Sequence, residues 1–295
     1  MTDFFLTNLE LRASDERGEM AEGLSHSTMK GMVLLTVLEL AANGEPRGAV
    51  TVLHDAGDTG DRYQELARAL ATDGWAIALP DLRGHGRTEG PRGHSAGLRE
   101  VERDVQEILD HLAYRMPDAP KVLVGIGLGA LYAAMFAHRN PDSLAALVLV
   151  NPLRSLPFAE PAAPKGLGRF FKKVTGESEG STGYSAEALT ADPTEAGRWS
   201  SSELTHETIT LRSIEEARRA EAEHLVAAVQ GPVPTLLVRG LADPLAPPAM
   251  SDDLAAAATG CVDLESARHH PFQDAGRAEA IETLRAWLDG QLPRA

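Results

Sequence analysis

Short β-rich runs alternate with longer amphipathic runs along most of the chain, and this alternation limits it to a small set of folds. Residues 144–150 are apolar at every position, as expected of a strand covered on both faces of a parallel sheet. The other predicted strands are residues 33–40, 49–54, 75–80, 121–124, 233–238 and 262–265. The predicted helices are residues 61–71, 98–112, 130–139, 249–258 and 278–288. The alternation predicts an α/β fold with a mostly parallel, doubly wound sheet.

One long stretch breaks this rhythm. Residues 152–231 contain no convincing strand, and Pro, Gly and Ser are dense between residues 157 and 202. Helical patterns occur at residues 166–174 and 214–229. We interpret the stretch as a helical cap inserted between two strands of the sheet. The predicted organisation is an N-terminal segment of residues 1–30, a core of residues 31–151 and 232–295, and the cap of residues 152–231.

Composition excludes several classes of partner. The chain has 295 residues and a formal net charge of −15, so a nucleic-acid partner is not expected. The single cysteine, Cys261, excludes an internal disulfide and a multi-cysteine zinc site, and we expect it to be a small buried side chain. Residues 1–12 lack a secretory pattern, and no apolar run approaches the roughly 18 residues of a spanning helix. We therefore expect a cytoplasmic protein with no integral membrane segment.

The segments that follow the predicted strands are the place to look for a ligand site, because ligands of open α/β sheets bind beyond the carboxyl ends of the strands. These segments are residues 54–57, 81–87, 125–129, 241–244 and 268–274. The glycines at residues 125–129 fit a dinucleotide-binding turn, but Asn151 stands where that site needs an acidic residue. A purely structural turn is another interpretation. We predict no metal site and no cofactor, because no cluster has a convincing metal-ligand spacing.

Several of these segments together resemble one family. The matching segments are residues 54–57, Asp-x-Arg-Gly-His-Gly at residues 81–86, Gly-x-Arg-Gly-His at residues 90–94, Asp243, and Ala-Arg-His at residues 267–269. Residues 54–57 correspond to a His-Gly-x-Gly loop, from which this chain departs by having Asp55 as the second residue. In order and spacing the chain resembles α/β-hydrolases of the monoacylglycerol lipase and lysophospholipase type, the serine aminopeptidase S33 group. The resemblance runs from about residue 30 to the C-terminus. It implies an α/β-hydrolase fold.

The resemblance also implies site residues. The family's nucleophile is the serine of a Gly-x-Ser-x-Gly turn, and Gly127 occupies that position here. His269 matches the base, with His270 as the alternative by a one-residue shift. Asp243 matches the orienting acid, although an Asp before Pro244 is also a common turn residue. The backbone N–H groups of Ala56 and Leu128 match the oxyanion hole. The residues expected to contact a ligand are His54, Asp55, Phe170 and Phe171.

The missing hydroxyl leaves three hypotheses for function. Loss of a triad nucleophile lowers turnover by about 10⁶, so ester hydrolysis through an acyl-enzyme is not expected. Asp55 beside the oxyanion hole would further disfavour a developing anion. The chain could bind an apolar acyl- or ester-bearing molecule under its cap. It could be an active ester hydrolase whose serine is replaced here. It could also be a lyase, cyclase or water-activating hydrolase that uses His269 and Asp243 as acid and base.

Two further expectations concern the cap and the turn. Residues 167, 170, 171 and 174 form one apolar helical face surrounded by basic residues, which is typical of a lid helix packed over a pocket. Weak association of this helix with a membrane surface is the alternative. At the turn, glycine adopts a strained conformation at little steric cost. We therefore expect Gly127→Ser to lower stability.

Overall fold

The computed structural model describes residues 3–12, 32–95, 97–160 and 179–293. Eight strands form one sheet in the order β1-β2-β4-β3-β5-β6-β9-β10, and β7 and β8 form a separate ladder. The strands are β1 (Phe5–Arg12), β2 (Met32–Leu40), β3 (Gly48–Leu53), β4 (Trp75–Pro80), β5 (Lys121–Ile126), β6 (Ala146–Val150), β7 (Glu179–Ser181), β8 (Thr208–Thr210), β9 (Thr235–Gly240) and β10 (Gly260–Leu264). The large sheet provides the frame on which the site is built.

Most of the large sheet is parallel, as the sequence predicts. Only the pairs β1–β2 and β2–β4 are antiparallel among its neighbouring strands. The register aligns Leu53 with Gly125, Ile126 with Val150, and Val150 with Val238. The carboxyl ends of β3, β5, β6 and β9 therefore meet at one edge of the sheet, and the loops that follow them lie side by side there.

Helices cover both faces of the sheet. They are α1 (Gln64–Thr72), α2 (Leu98–Arg115), α3 (Leu128–Arg139), α4 (Ala186–Leu189), α5 (Pro193–Ser201), α6 (Leu211–Ala220), α7 (Val226–Val229), α8 (Asp252–Ala257) and α9 (Arg277–Gln291). Apolar side chains of α1 and α9 share one buried cluster, and those of α2 and α3 share another. Helix α3 is buried from Leu128 to Ala137, which explains why it is apolar all round. None of the described helices combines the length and the hydrophobicity needed to cross a bilayer.

The predicted elements of the core match the observed ones within a few residues, and three strands were not predicted. Strand β1 falls in the segment of residues 1–30 and pairs with β2. The ladder of β7 and β8 lies in the stretch for which no strand was predicted. Three-residue strands such as Glu179–Ser181 carry too little pattern to be detected. The prediction for Cys261 was wrong, because it is exposed on β10, an edge strand.

One glycine sets the distance between α3 and the sheet. A Cβ atom on Gly129 would lie 2.2 Å from the carbonyl oxygen of Leu53 and 2.5 Å from that of His54. No side chain fits in that space unless the backbone of β3 moves. The first turn of α3 can therefore lie directly against the end of β3, which brings the loops after β3 and β5 together.

We expect Gly129→Ala to lower the free energy of unfolding by about 1–3 kcal/mol, because it overpacks the contact between α3 and β3. The matched control is Gly197→Ala in α5, where an added Cβ meets nothing within 4 Å. At that exposed helical position, the same change should raise the free energy of unfolding by about 0.5–1 kcal/mol. Urea unfolding of both variants measures the difference. Equal effects at the two positions would contradict the close-packing argument.

Candidate active site

The turn between β5 and α3 has the backbone conformation of a sharp elbow. Gly127, between the two elements, has φ +53° and ψ −111°. Its N–H donates to the carbonyl oxygen of Val150 at 3.0 Å, so the elbow is tied to the end of β6. This φ lies in the left-handed region, where a residue with a side chain is strained. The sequence expectation of a strand, a tight turn and a helix at this place agrees with the structure.

The space beside Gly127 is filled by the side chain of Asp55. A Cβ atom on Gly127 would lie 2.2 Å from both Cγ and Oδ1 of Asp55, and 2.5 Å from its Oδ2. In a Gly-x-Ser-x-Gly turn, the side chain of the central residue leaves the backbone in this direction. The carboxylate of Asp55 therefore occupies the volume of the missing nucleophile.

The same carboxylate occupies the predicted oxyanion hole. Oδ1 of Asp55 accepts hydrogen bonds from the N–H of Ala56 and the N–H of Leu128, each at 2.7 Å. The hydroxyl of Tyr184 donates to the same oxygen at 3.1 Å. The two amides that the resemblance assigns to a reaction intermediate thus bind a permanent anion of the chain itself.

The other oxygen of Asp55 faces two imidazoles. Nε2 of His269 lies 3.0 Å from Oδ2, and Nε2 of His270 lies 3.1 Å from it. The far side of the His269 ring contacts Asp243, with Nδ1 2.7 Å from Oδ2 of that residue. Asp243 is held in turn by the N–H groups of Leu245 and Ala246, which donate to its Oδ1. Asp243, His269 and Asp55 thus form a row of acid, imidazole and acid, and Asp55 is the member that lies at the elbow.

Burial and charge act against each other in this row. Asp55 and His269 are both fully buried. Burial alone would raise the pKa of Asp55, but the charges and hydrogen bonds of His269 and His270 lower it well below its ordinary value. Burial alone would lower the pKa of His269, but Asp243 and Asp55 raise it to about 10. The two carboxylates therefore favour the imidazolium form of His269. In this arrangement it cannot accept a proton as a general base.

His54 does not take the predicted ligand-contacting role. It is fully buried, and its Nε2 accepts a hydrogen bond from the N–H of Leu82 at 2.9 Å. Its Nδ1 lies 2.7 Å from the carbonyl oxygen of Asp55. Both ring nitrogens thus fix the loop after β3, and neither is free for a ligand. The other two predicted contacts, Phe170 and Phe171, lie outside the described residues.

Asn151 was missed as a positioning residue. It follows β6 and is the single residue other than glycine with a positive φ, +43°, in the part of the chain that the structure describes. Its side-chain N–H₂ donates to the carbonyl oxygens of Arg268 and His269, and its side-chain oxygen accepts the N–H of Gly240 at 2.8 Å. Asn151 therefore joins the ends of β6 and β9 to the loop that carries His269. Its sequence signal was its position at a strand end, where asparagine tolerates this conformation.

Two further members of the site carried no sequence signal. Tyr184 comes from the segment after β7, and Asp58 from the loop after β3. Burial and the charge of Asp55 raise the pKa of Tyr184 well above its ordinary value, so its hydroxyl stays protonated and can donate. Asp58 faces His270, with 3.7 Å between its Oδ2 and Nδ1 of the ring.

One group of donors in the site could hold a metal ion. The ligand atoms of Asp55, His269 and His270 lie within 4.8 Å of one another, and all three residues are buried. No spacing in the sequence predicts such a site, because Asp55 is 214 and 215 positions away from the two histidines and only the fold brings them together.

Comparison with known proteins identifies similar chains. The family described as "Serine aminopeptidase, S33" matches residues 44–274, which is most of the chain. The human protein named monoglyceride lipase is 34% identical over 110 residues, which are 37% of this chain and 36% of that protein. The monoacylglycerol lipase of Mycolicibacterium smegmatis is 30% identical over 108 residues, which are 37% of this chain and 39% of that protein. The matched region thus spans little more than a third of these curated relatives.

Solved structures show the same fold over a longer range. The monoacylglycerol lipase of Paleococcus ferrophilus superposes with a TM-score of 0.69 at 24% identity, covering 86% of this chain and 99% of that one. A soluble variant of monoglyceride lipase from Saccharomyces cerevisiae, solved with a substrate analog, gives a TM-score of 0.74 at 16% identity. It covers 92% of this chain and 95% of that one. At these identities the likeness establishes the α/β-hydrolase fold.

We expect the effects of Gly127→Ser and Asp55→Gly on stability to be coupled. Gly127→Ser alone should lower the free energy of unfolding by at least about 1–3 kcal/mol, because the serine is strained and overlaps Asp55. Asp55→Gly removes the overlap, so serine should be tolerated better in that background, with a coupling of about 0.5–3 kcal/mol. Urea unfolding of the native chain, the two single variants and the double variant measures this coupling. Additive effects would mean that the two side chains do not compete for one space.

Proposed function

This chain belongs to the serine aminopeptidase S33 family of α/β-hydrolases, and from that premise we propose that it binds an apolar, acyl- or ester-bearing small molecule without forming an acyl-enzyme. The ligand would lie between the carboxyl edge of the sheet and the segment that connects β6 to β9. We propose that residues 152–231 act as a cap over that space. The protein would then be a binding member of a hydrolytic family.

One observation carries this proposal: the Asp55 carboxylate binds the two amides predicted to form an oxyanion hole and fills the space beside Gly127. An acyl-enzyme needs an attacking oxygen, an imidazole that can take its proton, and free donors for the oxyanion. Here the attacking hydroxyl is missing, the imidazole of His269 faces a carboxylate, and both donors are engaged. Gly127 thus removes the nucleophile, and Asp55 occupies the base and the two donors that the reaction would also need.

The proposed ligand class follows from the relatives and from the wall of the site. The related proteins are named monoglyceride lipases, and the yeast structure contains a substrate analog. In this chain the ring centroids of Tyr184 and His269 lie 5.7 Å apart in an edge-type arrangement, and those of Phe158 and Tyr184 lie 6.1 Å apart. These aromatic side chains give the site a largely apolar cover, which favours an acyl chain over a charged ligand.

Replacement of a native serine explains the structure less well. It accounts for Gly127 but not for Asp55, whose carboxylate would overlap a side chain at residue 127. Acid–base chemistry without a nucleophile is the second candidate, favoured by the 2.7 Å contact between His269 and Asp243. A lyase, a cyclase or a water-activating hydrolase could use that pair once the Asp55 side chain leaves Nε2 of His269.

The location of the protein stays a prediction. The single cysteine suits the reducing conditions of the cytoplasm. Weak association with a membrane surface through residues 165–174 also stays a prediction, since those residues lie outside the described part of the chain. Loss of vesicle binding on Lys172→Glu with Lys173→Glu would support it.

We expect the double variant Asp55→Gly with Gly127→Ser to gain hydrolysis of p-nitrophenyl esters, while the native chain and both single variants stay at background. The double variant has a nucleophile, free oxyanion donors, and His269 still held by Asp243. A gain of at least about 100-fold is expected, a small part of the roughly 10⁶-fold effect of a complete triad. Initial rates of hydrolysis of p-nitrophenyl esters with acyl chains of several lengths measure this gain.

Controls separate this gain from contamination and from the second candidate. Adding His269→Ala to the double variant should return the rate to background. A native chain that hydrolyses esters fast, or that is labelled by a fluorophosphonate, would contradict the proposal. Turnover of the native chain that is lost on His269→Ala would instead favour acid–base chemistry.

Binding itself is tested with a ligand that cannot be hydrolysed. We expect the native chain to bind a long-chain 1-O-alkylglycerol ether in calorimetry and not to bind the free glycerol headgroup. The apolar cover formed by Phe158 and Tyr184 is the reason for this preference. Absence of binding by alkyl ethers of every chain length would contradict the binding function.

A further inference from the structure

We propose that Asp55, His269 and His270 form a binding site for a divalent first-row transition metal, with Zn²⁺ as the best match. Two imidazole nitrogens and one carboxylate oxygen are a ligand set that suits Zn²⁺. The site would lie on the side of Asp55 that faces away from the oxyanion hole. The inference concerns these three side chains and does not rest on the proposed binding of an acyl ligand.

The distances suit a metal placed between the donors. Oδ2 of Asp55 lies 3.0 Å from Nε2 of His269 and 3.1 Å from Nε2 of His270. Two ligands of a tetrahedral zinc ion, each about 2.1 Å from the metal, lie about 3.4 Å apart. The two distances from Oδ2 of Asp55 are therefore within a few tenths of an ångström of that spacing, and all three donor atoms lie within 4.8 Å of one another. Oδ1 of Asp55 would keep its bonds to the amides of Ala56 and Leu128.

One buried nitrogen lacks a good partner in the present arrangement. Nε2 of His269 lies close to Oδ2 of Asp55, yet among the described residues no acceptor is aligned with it for a hydrogen bond. A fully buried imidazole nitrogen without an aligned partner is unusual. A metal ion between the two rings would supply the missing partner.

Each imidazole is also backed by a carboxylate on its far side. Nδ1 of His269 contacts Oδ2 of Asp243 at 2.7 Å, and Nδ1 of His270 lies 3.7 Å from Oδ2 of Asp58. Asp58 is itself held by Tyr63, whose hydroxyl donates to Oδ2, and by an ion pair with Arg62. Histidines that bind metals usually donate the proton of their other nitrogen to such a carboxylate. His269 has that arrangement, whereas Nδ1 of His270 has no hydrogen-bond partner among the described residues and only faces Asp58 across 3.7 Å.

The charge of the cluster is compatible with a bound dication that replaces the proton of His269. Metal-bound imidazoles are neutral, so the charged side chains in contact with the cluster would then be Asp55, Asp58, Asp243 and Arg62. Their three negative charges and one positive charge sum to two negative charges, which a dication balances. The ligand count leaves a fourth position for water or for an oxygen of a bound molecule.

The full chain is dialysed against a chelator and titrated with Zn²⁺ and with Co²⁺, with Mg²⁺ as a metal that prefers oxygen ligands. We expect one Zn²⁺ per chain, a rise of Tm on binding, and visible Co²⁺ absorption of four-coordinate intensity. His270→Asn should abolish these responses. Asp58→Asn, which removes the negative charge facing His270 together with its ion pair to Arg62, should weaken the affinity about 10–100-fold.

A second pair of histidines, the exposed His138 and the buried His224, controls for adventitious binding. Nδ1 of His138 lies 2.9 Å from Nδ1 of His224, away from the site, so His224→Asn should leave the responses unchanged. No stoichiometric metal in the native chain would overturn the proposal. Unchanged binding by Asp58→Asn, or binding lost with His224→Asn, would overturn it too. If His270→Asn does not fold, Asp58→Asn and His224→Asn still decide the question. Failure here leaves the alkylglycerol binding test unaffected.

Discussion

A buried carboxylate stays ionised only where donors surround it, and in this protein Asp55 is surrounded on both oxygens. The donors come from separate parts of the chain: the loop after β3, the first residue of α3, the segment after β7, and the loop that carries His269 and His270. Because the anion needs all of them, it holds these segments in one arrangement. The interior of the site is therefore organised around a charge of the chain itself.

This organisation changes the chemistry that His269 and Asp243 can perform. His269 and Asp243 stand at 2.7 Å as they would in a working triad, but the atom beyond the imidazole is a carboxylate oxygen. Interaction with that oxygen stabilises the imidazolium, whereas a triad needs a neutral ring that can take a proton. Geometry that looks catalytic thus holds a stable ion pair. The same negative charge makes the pocket attractive to a cation and repellent to an oxyanion.

Much of the fold and part of the site could be predicted from the sequence. Alternating apolar runs located the core strands, and strand ends located Gly127, Asp243 and His269. The sequence also marked Asp55 as unfavourable for a developing anion. It could not show that the Asp55 side chain turns back onto the amide of Ala56, because spacing says nothing about side-chain conformation. Tyr184 was missed for a different reason, since its place depends on how the chain after β6 folds back over the sheet.

The overlap between a side chain at residue 127 and the Asp55 carboxylate also links these two positions in evolution. A serine at residue 127 and an acid at residue 55 compete for one space, so each is disfavoured while the other is present. A serine restored by one mutation would be strained, and the two amides that an oxyanion needs would still be occupied by Asp55. A return to nucleophilic chemistry therefore requires changes at both positions, which makes the present state hard to reverse.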